Sequence, residues 1–569
     1  MRLLLALGLV LSLEARAQLG LQQSSPELNW LAKENAHVKL IFSEELSSES
    51  DYLLNLVEHY SHLVGLTYGI REPQQFPLIM RPEVADPNGF VTLAPRRSEW
   101  FANATFLPFV GSSEWYQTLA IHEYRHIIQY DHFKQGAAKY LDYFLGDTGA
   151  QVAMFLGLQS WYFEGDAVWA ETKYTDAGRG RSPRFLARLK ALVLSERIPS
   201  YDEFLSGSYN NLYPNQYVWG YVLVSRATQK FGEDFWQKVT AHVARFPHPW
   251  RLVNSFKHVS GQSFTEFYFE TMQDLRDQWK DDLTDQTISE YREETYPTQL
   301  NGALYLLKYD LDSYTQLTRR DASGDTLIAD IPFFNEVTML SMGGSLAVYP
   351  QFLPDKRYGY KGSSDLVTVD LTSGEKTQIT DGERFYNPRL NAEGTKLLAV
   401  EFTKEQHWQV VELSPAGKRL RQVKLSDKKI VEATYLDDNR AWALVLDPTG
   451  ARALVVLDLA TQDTREVLRS TKNLLYNLSG SRTHVVFEAQ YQGKNEIFRL
   501  SEAGELQQCT HSRIGAFAPS SDGTTLFYSA MDVNGSALAS VALNQCQPIP
   551  QTALLDFNYL SKDSPSDNY

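Results

Sequence analysis

The chain has 569 residues, 43% hydrophobic and 22% charged, an ordinary globular usage that excludes a fibrous or mostly disordered protein and leaves room for several domains. Its formal net charge of −15, from 54 Lys+Arg against 69 Asp+Glu, denies it the positive field of a non-specific nucleic-acid binder. With only two cysteines, Cys509 and Cys546, neither a disulfide scaffold nor a Cys-ligated zinc ribbon is available.

At the N-terminus, Arg2 precedes an apolar run over 3–13 and then Ala15-Arg16-Ala17, the order of a secretory signal peptide. Residues 1–17 are therefore expected to be removed and the protein exported to the periplasm or beyond. The run is too short for a retained transmembrane anchor, which needs about 20 apolar residues. In an oxidising space a bond between Cys509 and Cys546 becomes available, with two buried thiols as the alternative.

Residues 18–111 read as a mixed α/β segment, with strands predicted at 37–43, 76–80 and 89–94 and a helix at 49–65. From 112 to 295 helical patterns dominate, with stops at Gly136, Gly146, Gly207 and Gly232. The first of these helices, with Ser112 or Ser113 expected as its cap, carries Leu119-Ala-Ile-His122-Glu123-Tyr-Arg-His126-Ile-Ile-Gln129. His122 and His126 stand one turn apart on one face, so both imidazoles can reach one zinc ion. Glu123 is turned about 100° from His122 and can address a water instead of the ion. Two histidines leave zinc under-coordinated, and Trp161-Tyr-Phe-Glu164-Gly165-Asp-Ala167-Val-Trp-Ala-Glu171 offers a carboxylate downstream.

These two stretches resemble the gluzincin metallopeptidases, the thermolysin and M1 aminopeptidase group. The resemblance implies a zinc cofactor held by His122, His126 and Glu164, with Glu123 as general base in peptide hydrolysis. It makes Glu171 a candidate to support the ligands from behind. Tyr217-Val-Trp-Gly220-Tyr221 resembles the M1 stretch whose Tyr donates to the tetrahedral oxyanion, which implies that role for Tyr217, with Tyr213 and Tyr221 as nearby rivals. Two departures count. Glu164 follows His126 by 38 positions, so 137–158 must form an inserted apolar hairpin or lid. The Gly-x-Met-Glu-Asn motif that holds a free substrate amine is absent, which favours an endopeptidase laying its substrate along the 89–94 strand. Arg96 and Arg97 beside that strand are candidates for contacting acidic or C-terminal groups.

The charged stretch 274–294 reads as a solvated helix and linker ending near Pro297. Beyond it the texture changes to short strands. Turns at Asn301-Gly302, Gly343-Gly344, Glu393-Gly394, Asp438-Asn439, Gly480-Ser481 and Asp522-Gly523 recur at steps of 41, 51, 45, 42 and 42 residues, each followed by an apolar strand. Such a period is the signature of propeller blades, here about six, over 296–560, with a β-sandwich pair as the competitor. The 365–374 and 495–504 segments resemble TolB-like and prolyl-oligopeptidase-type propellers, which implies architecture more than activity. The expectation is thus a multidomain α+β protein: a mixed-sheet and helical gluzincin metalloprotease domain, a C-terminal all-β propeller and a tail at 561–569. Its partners would be a peptide or protein substrate and an envelope protein docked on the propeller. The rival expectation is a non-catalytic envelope binding or assembly protein acting through that propeller.

Overall fold

The computed structural model describes residues 23–71, 74–103, 110–332, 339–426 and 428–555. The expected leader at 1–17 and tail at 561–569 lie outside the described residues. Among the described residues, no helix is long and apolar enough to cross a membrane.

The first layer is a five-stranded sheet of β1 (Trp30–Glu34), β2 (Val38–Ser43), β3 (Phe76–Arg81), β4 (Gly89–Leu93) and β5 (Arg96–Phe101), in the order β1-β2-β3-β5-β4. Helix α1 (Ser50–Val64) makes the crossover between the parallel strands β2 and β3, burying Leu53, Val57, Tyr60 and Val64. β4 runs antiparallel to β5, and its other edge has no strand partner among the described residues. Beside it, Arg96 is held in a two-pronged ion pair with Asp131 (2.7 and 3.1 Å) and Arg97 is paired with Glu99. Both arginines expected to meet substrate are therefore committed to neighbouring carboxylates.

Helices follow: α2 (Trp115–Phe133), α3 (Gly136–Leu145), α4 (Asp147–Gly157), α5 (Ser160–Tyr174), α6 (Pro183–Val193), α7 (Tyr201–Ser206) and α8 (Gln216–Phe231), then Phe235–Ala244, Arg251–Ser260 and Phe264–Gln278. Ser112 and Ser113 do not cap α2. Glu114 does, its carboxylate accepting from the Gln117 amide at 2.8 Å, which places a negative charge on the positive end of the helix. The inserted stretch expected as an apolar hairpin forms α3 and α4, an antiparallel helical pair that leaves Tyr143 80% and Phe144 76% exposed.

The charged stretch before the second half is helical only over its first residues. The helix ends at Gln278, and Asp282 is clasped by Lys190 and Lys494, each at 2.8 Å. The first strand of the next region already begins at Arg292, ahead of the expected boundary, and Pro297 sits inside it at a bulge between Thr295 and Thr298. Glu294 on this strand is bound by Arg320, so its charge marks a paired strand rather than a solvated helix face.

Six antiparallel blades follow, over 292–330, 341–378, 385–423, 429–471, 476–508 and 515–542. Each of the six sequence turns joins the first and second strands of one blade, and each apolar run that follows is the second strand. Neighbouring blades touch in sequence, and the sixth meets the first through the parallel pairs Gly535 with Arg292 and Ser536 with Glu293, closing the ring. The sixth blade has three strands among the described residues, and the short strand Gln547–Pro548 returns to the outer strand of the fifth. A disulfide joins Cys509 to Cys546 at this point.

His484, wholly buried in the fifth blade, has Nδ1 among the Ser481 and Thr483 hydroxyls, whereas its Nε2 is buried with no hydrogen-bond partner. Burial, helped by Arg499, lowers its pKa to about 4 from the usual 6.5. The folded chain thus refuses a proton that the unfolded chain accepts. This contribution is intact above pH about 6.5 and drains away as the pH falls towards about 4, by roughly 3 kcal/mol in all. Urea unfolding measured between pH 7 and 4 should show this loss, and His484→Asn should flatten it.

Candidate active site

The site is built where three helices cross. On α2, His122 and His126 project from one face, and α5 passes beneath them with Glu164 at its fifth residue, in the second turn. α8 crosses α5 at contact distance: a Cβ on Gly165 would lie 2.2 Å from the Gly220 carbonyl carbon, and a Cβ on Gly220 would lie 2.2 Å from the Trp161 oxygen. Only glycine at both positions allows this approach, which brings Tyr217, one turn before Gly220, to the same side as Glu164.

The Nε2 atoms of His122 and His126 are 3.3 Å apart, and Glu164 Oε2 lies 3.3 Å from the first and 3.6 Å from the second. A tetrahedral ion with ligand bonds of about 2.0–2.1 Å has edges of about 3.3–3.4 Å, so the three atoms are spaced as its ligands. Glu164 Oε2 is buried with no hydrogen-bond partner, a penalty that a cation would relieve. The donor set, two imidazoles and one carboxylate, fits zinc.

Each imidazole is oriented from behind. His122 Nδ1 lies 2.7 Å from Glu171 Oε1, and Glu171 in turn accepts from Arg179 Nε at 2.9 Å. His126 Nδ1 lies 2.9 Å from Gln129 Oε1, while Gln129 Nε2 donates to Asp166 Oδ2 at 2.8 Å. A proton on each Nδ1 satisfies the acceptor behind it and leaves both Nε2 lone pairs aimed at the common centre. Asp166 also takes two bonds of 2.7 Å from the buried Arg125 and one of 3.2 Å from Tyr68. Residues 164, 166 and 171 of α5 therefore all serve side chains of α2.

The electrostatics follow from this enclosure. Burial opposes the charge on Glu164, but the two histidines outweigh it and hold its carboxyl well below the usual range. Burial would likewise raise Glu171, yet Arg179 and His122 hold it down at about 2. Burial lowers His122, and the neighbouring Glu164 and Glu171 carboxylates override that and raise it to about 9. Glu123 is different. Burial pushes its carboxyl up, only partly offset by the histidines, and its Oε2 is buried without a hydrogen-bond partner. Tyr217 stacks beside His122, with ring centroids 6.0 Å apart, beneath the Arg179 guanidinium at 5.1 Å. Burial and the Glu164 charge raise its hydroxyl pKa. Its rivals are elsewhere engaged: the Tyr213 hydroxyl donates to Glu203, and the Tyr221 ring packs against Gly180.

His122, Glu123 and Tyr217 face a cavity of about 620 Å³ whose far wall is propeller, including Asn477, Glu488 and Phe517. Pro87, Asn88 and Gly89, the first residue of β4, line another side, and Gly89 passes so close to α2 that a Cβ there would come within 2.6 Å of Leu119 and 3.4 Å of Glu123. Contacts on either side hold the propeller in place. On one, Arg188 donates to the Val533 carbonyl at 2.6 Å; on the other, Arg384 donates to the Pro82 carbonyl at 2.7 Å.

The structure thus gathers His122, Glu123, His126, Glu164, Glu171 and Tyr217 into one place and sets the disulfide apart from it in the propeller. Arg125, Gln129, Asp166 and Arg179 escaped the sequence reading. Only Gln129, one turn beyond His126, carried a spacing signal.

No protein-family model matches the chain, and no curated protein matches it. Solved structures share partial likeness. The β-propeller domain of the Trilobed protease from Pyrococcus furiosus matches at 10% identity and TM-score 0.31, over 46% of this chain and 84% of that one. An acylaminoacyl peptidase from Pyrococcus horikoshii matches at 9% and 0.30, over 46% of either chain, so this chain spans under half of that protein. A putative TolB from Agrobacterium tumefaciens matches at 8% and 0.31, over 39% of this chain and 83% of that one. The propeller itself rests on the sheet pairing described above.

Proposed function

We propose that this protein is an exported, zinc-dependent metallopeptidase of gluzincin type that cleaves extended peptides internally. The observation that carries the reading is the set of three ligand atoms at tetrahedral spacing beside a buried carboxylate, Glu123, that has an unpartnered oxygen and faces the cavity. His122, His126 and Glu164 would hold zinc, which when bound lowers the pKa of a water and polarises a carbonyl. Glu123 accepts the water's proton and hands it to the departing amine. Tyr217 offers a hydroxyl beside the ligands for the oxygen that gains charge. The free edge of β4 accepts an extended peptide by strand addition and presents its backbone across α2. The propeller roof limits entry to chains without bulky tertiary structure, and the disulfide between Cys509 and Cys546 accords with an oxidising compartment.

The test is direct. Purified protein incubated with a denatured protein mixture should release fragments that disappear with a zinc chelator and return when zinc is restored. Absence of chelator-sensitive fragments would overturn the peptidase reading in favour of a propeller-borne binding or assembly role.

A further inference from the structure

Away from the cavity, a second group of ligating side chains converges where α1 meets the start of β2. Glu58 and His62 stand one turn apart on α1, and His37 immediately precedes β2. Glu58 Oε1 lies 3.3 Å from His37 Nε2 and 3.3 Å from His62 Nε2, and one ligand atom from each of the three residues falls within 4.8 Å of the others. These separations are long for N–H···O bonds, whose usual length is about 2.9–3.0 Å, and they match the edge of a zinc tetrahedron.

The group repeats the features of the first site. His37 and His62 meet edge to face, at 86° with centroids 5.1 Å apart, as His122 and His126 do at 87° and 4.8 Å. Glu58 Oε2 is buried with no hydrogen-bond partner among the described residues, while its other oxygen, Oε1, is the one that faces both imidazoles; at Glu164 a single oxygen, Oε2, is in both positions. The donor set is again two imidazoles and a carboxylate. The surroundings differ: the side chain of His37 is buried, but those of Glu58 and His62 are 36% and 48% exposed, so an ion here is loaded directly from solvent.

We propose that His37, Glu58 and His62 form a second zinc site, one that clips the start of β2 to α1. Helix α1 packs along α2, so this clip braces the helix that carries His122 and His126. The inference is independent of the peptidase reading.

Bound zinc counted on the full-length, zinc-loaded and desalted protein separates the two. The unaltered protein should hold about two zinc ions, the His122→Ala/His126→Ala variant about one, and that variant with His62→Ala added about none. His62 is half exposed, so its replacement spares the core, and Glu58→Gln gives a second variant of nearly unchanged shape. Cobalt added to the His122→Ala/His126→Ala variant should give the visible bands of a tetrahedral site, and these should vanish with Glu58→Gln. A well-folded His122→Ala/His126→Ala protein with neither zinc nor cobalt bands overturns the second site. If the unaltered protein holds only one ion, and that ion survives in the His122→Ala/His126→Ala variant and leaves with His62→Ala, the second site stands and the metal reading of the first is overturned.

Discussion

Glu123→Gln should reduce peptide cleavage by roughly 10²–10⁴-fold, the usual contribution of a positioned general base, while the zinc content stays unchanged. Glutamine keeps the shape of the side chain and can still hydrogen-bond, but it cannot take a proton. The carboxylate is suited to that task by its place: it is 4% exposed, it faces the cavity, and one oxygen has no hydrogen-bond partner among the described residues. The change touches none of the bonds that orient His122 or His126, so metal content and melting temperature serve as internal controls. Cleavage at the unaltered rate would remove Glu123 from the mechanism.

The second large effect is expected at Asp166. Its carboxylate and the Arg125 guanidinium are each about 1% exposed and joined by two bonds of 2.7 Å. Asp166→Ala leaves a charge buried without its partner, at a cost of about 3–5 kcal/mol. For a helical region of this size the melting temperature should fall by on the order of 10 °C. The same change removes the shorter of the two bonds that anchor Gln129, leaving only the one to the Phe163 carbonyl, and Gln129 orients His126. Zinc affinity should accordingly weaken by about 10–100-fold, a loss that destabilisation elsewhere in the chain would not produce. Calorimetry of the zinc-free protein and a competition titration for zinc read the two effects apart. A melting temperature within a degree of the unaltered protein would show that the Val64 carbonyl and the Thr67 hydroxyl, which Arg125 also reaches, are enough to hold its charge.

Local chemistry made part of this protein readable in advance. His122 and His126 could be paired from sequence because helical geometry alone brings positions four apart onto one face. The blades were readable because their tight turns select particular residues. Gly302, Gly344, Gly394 and Gly523 have φ values of 79°, 60°, 69° and 95°, a region other residues avoid, and each stands at the first turn of its blade. Glu164 was singled out through a resemblance, since nothing local ties it to histidines 38 and 42 positions earlier. The stretch 274–294 misled because charge density alone does not reveal that Asp282 is clasped by Lys190 and Lys494, or that Glu294 belongs to a strand.

Sequence by itself thus determined the pairing of His122 with His126, the helix that carries them and the repeating unit of the propeller, because each depends on spacing within one element. The crossing of α5 and α8 at Gly165 and Gly220 was settled only in three dimensions, as were the charged supports Glu171, Arg179, Asp166 and Gln129 and the enclosure of the site beneath the propeller. The reason is physical. A charged side chain survives burial only beside a partner, and that partner is supplied by whichever helix or blade the chain brings alongside, at a distance along the sequence that no local rule prescribes.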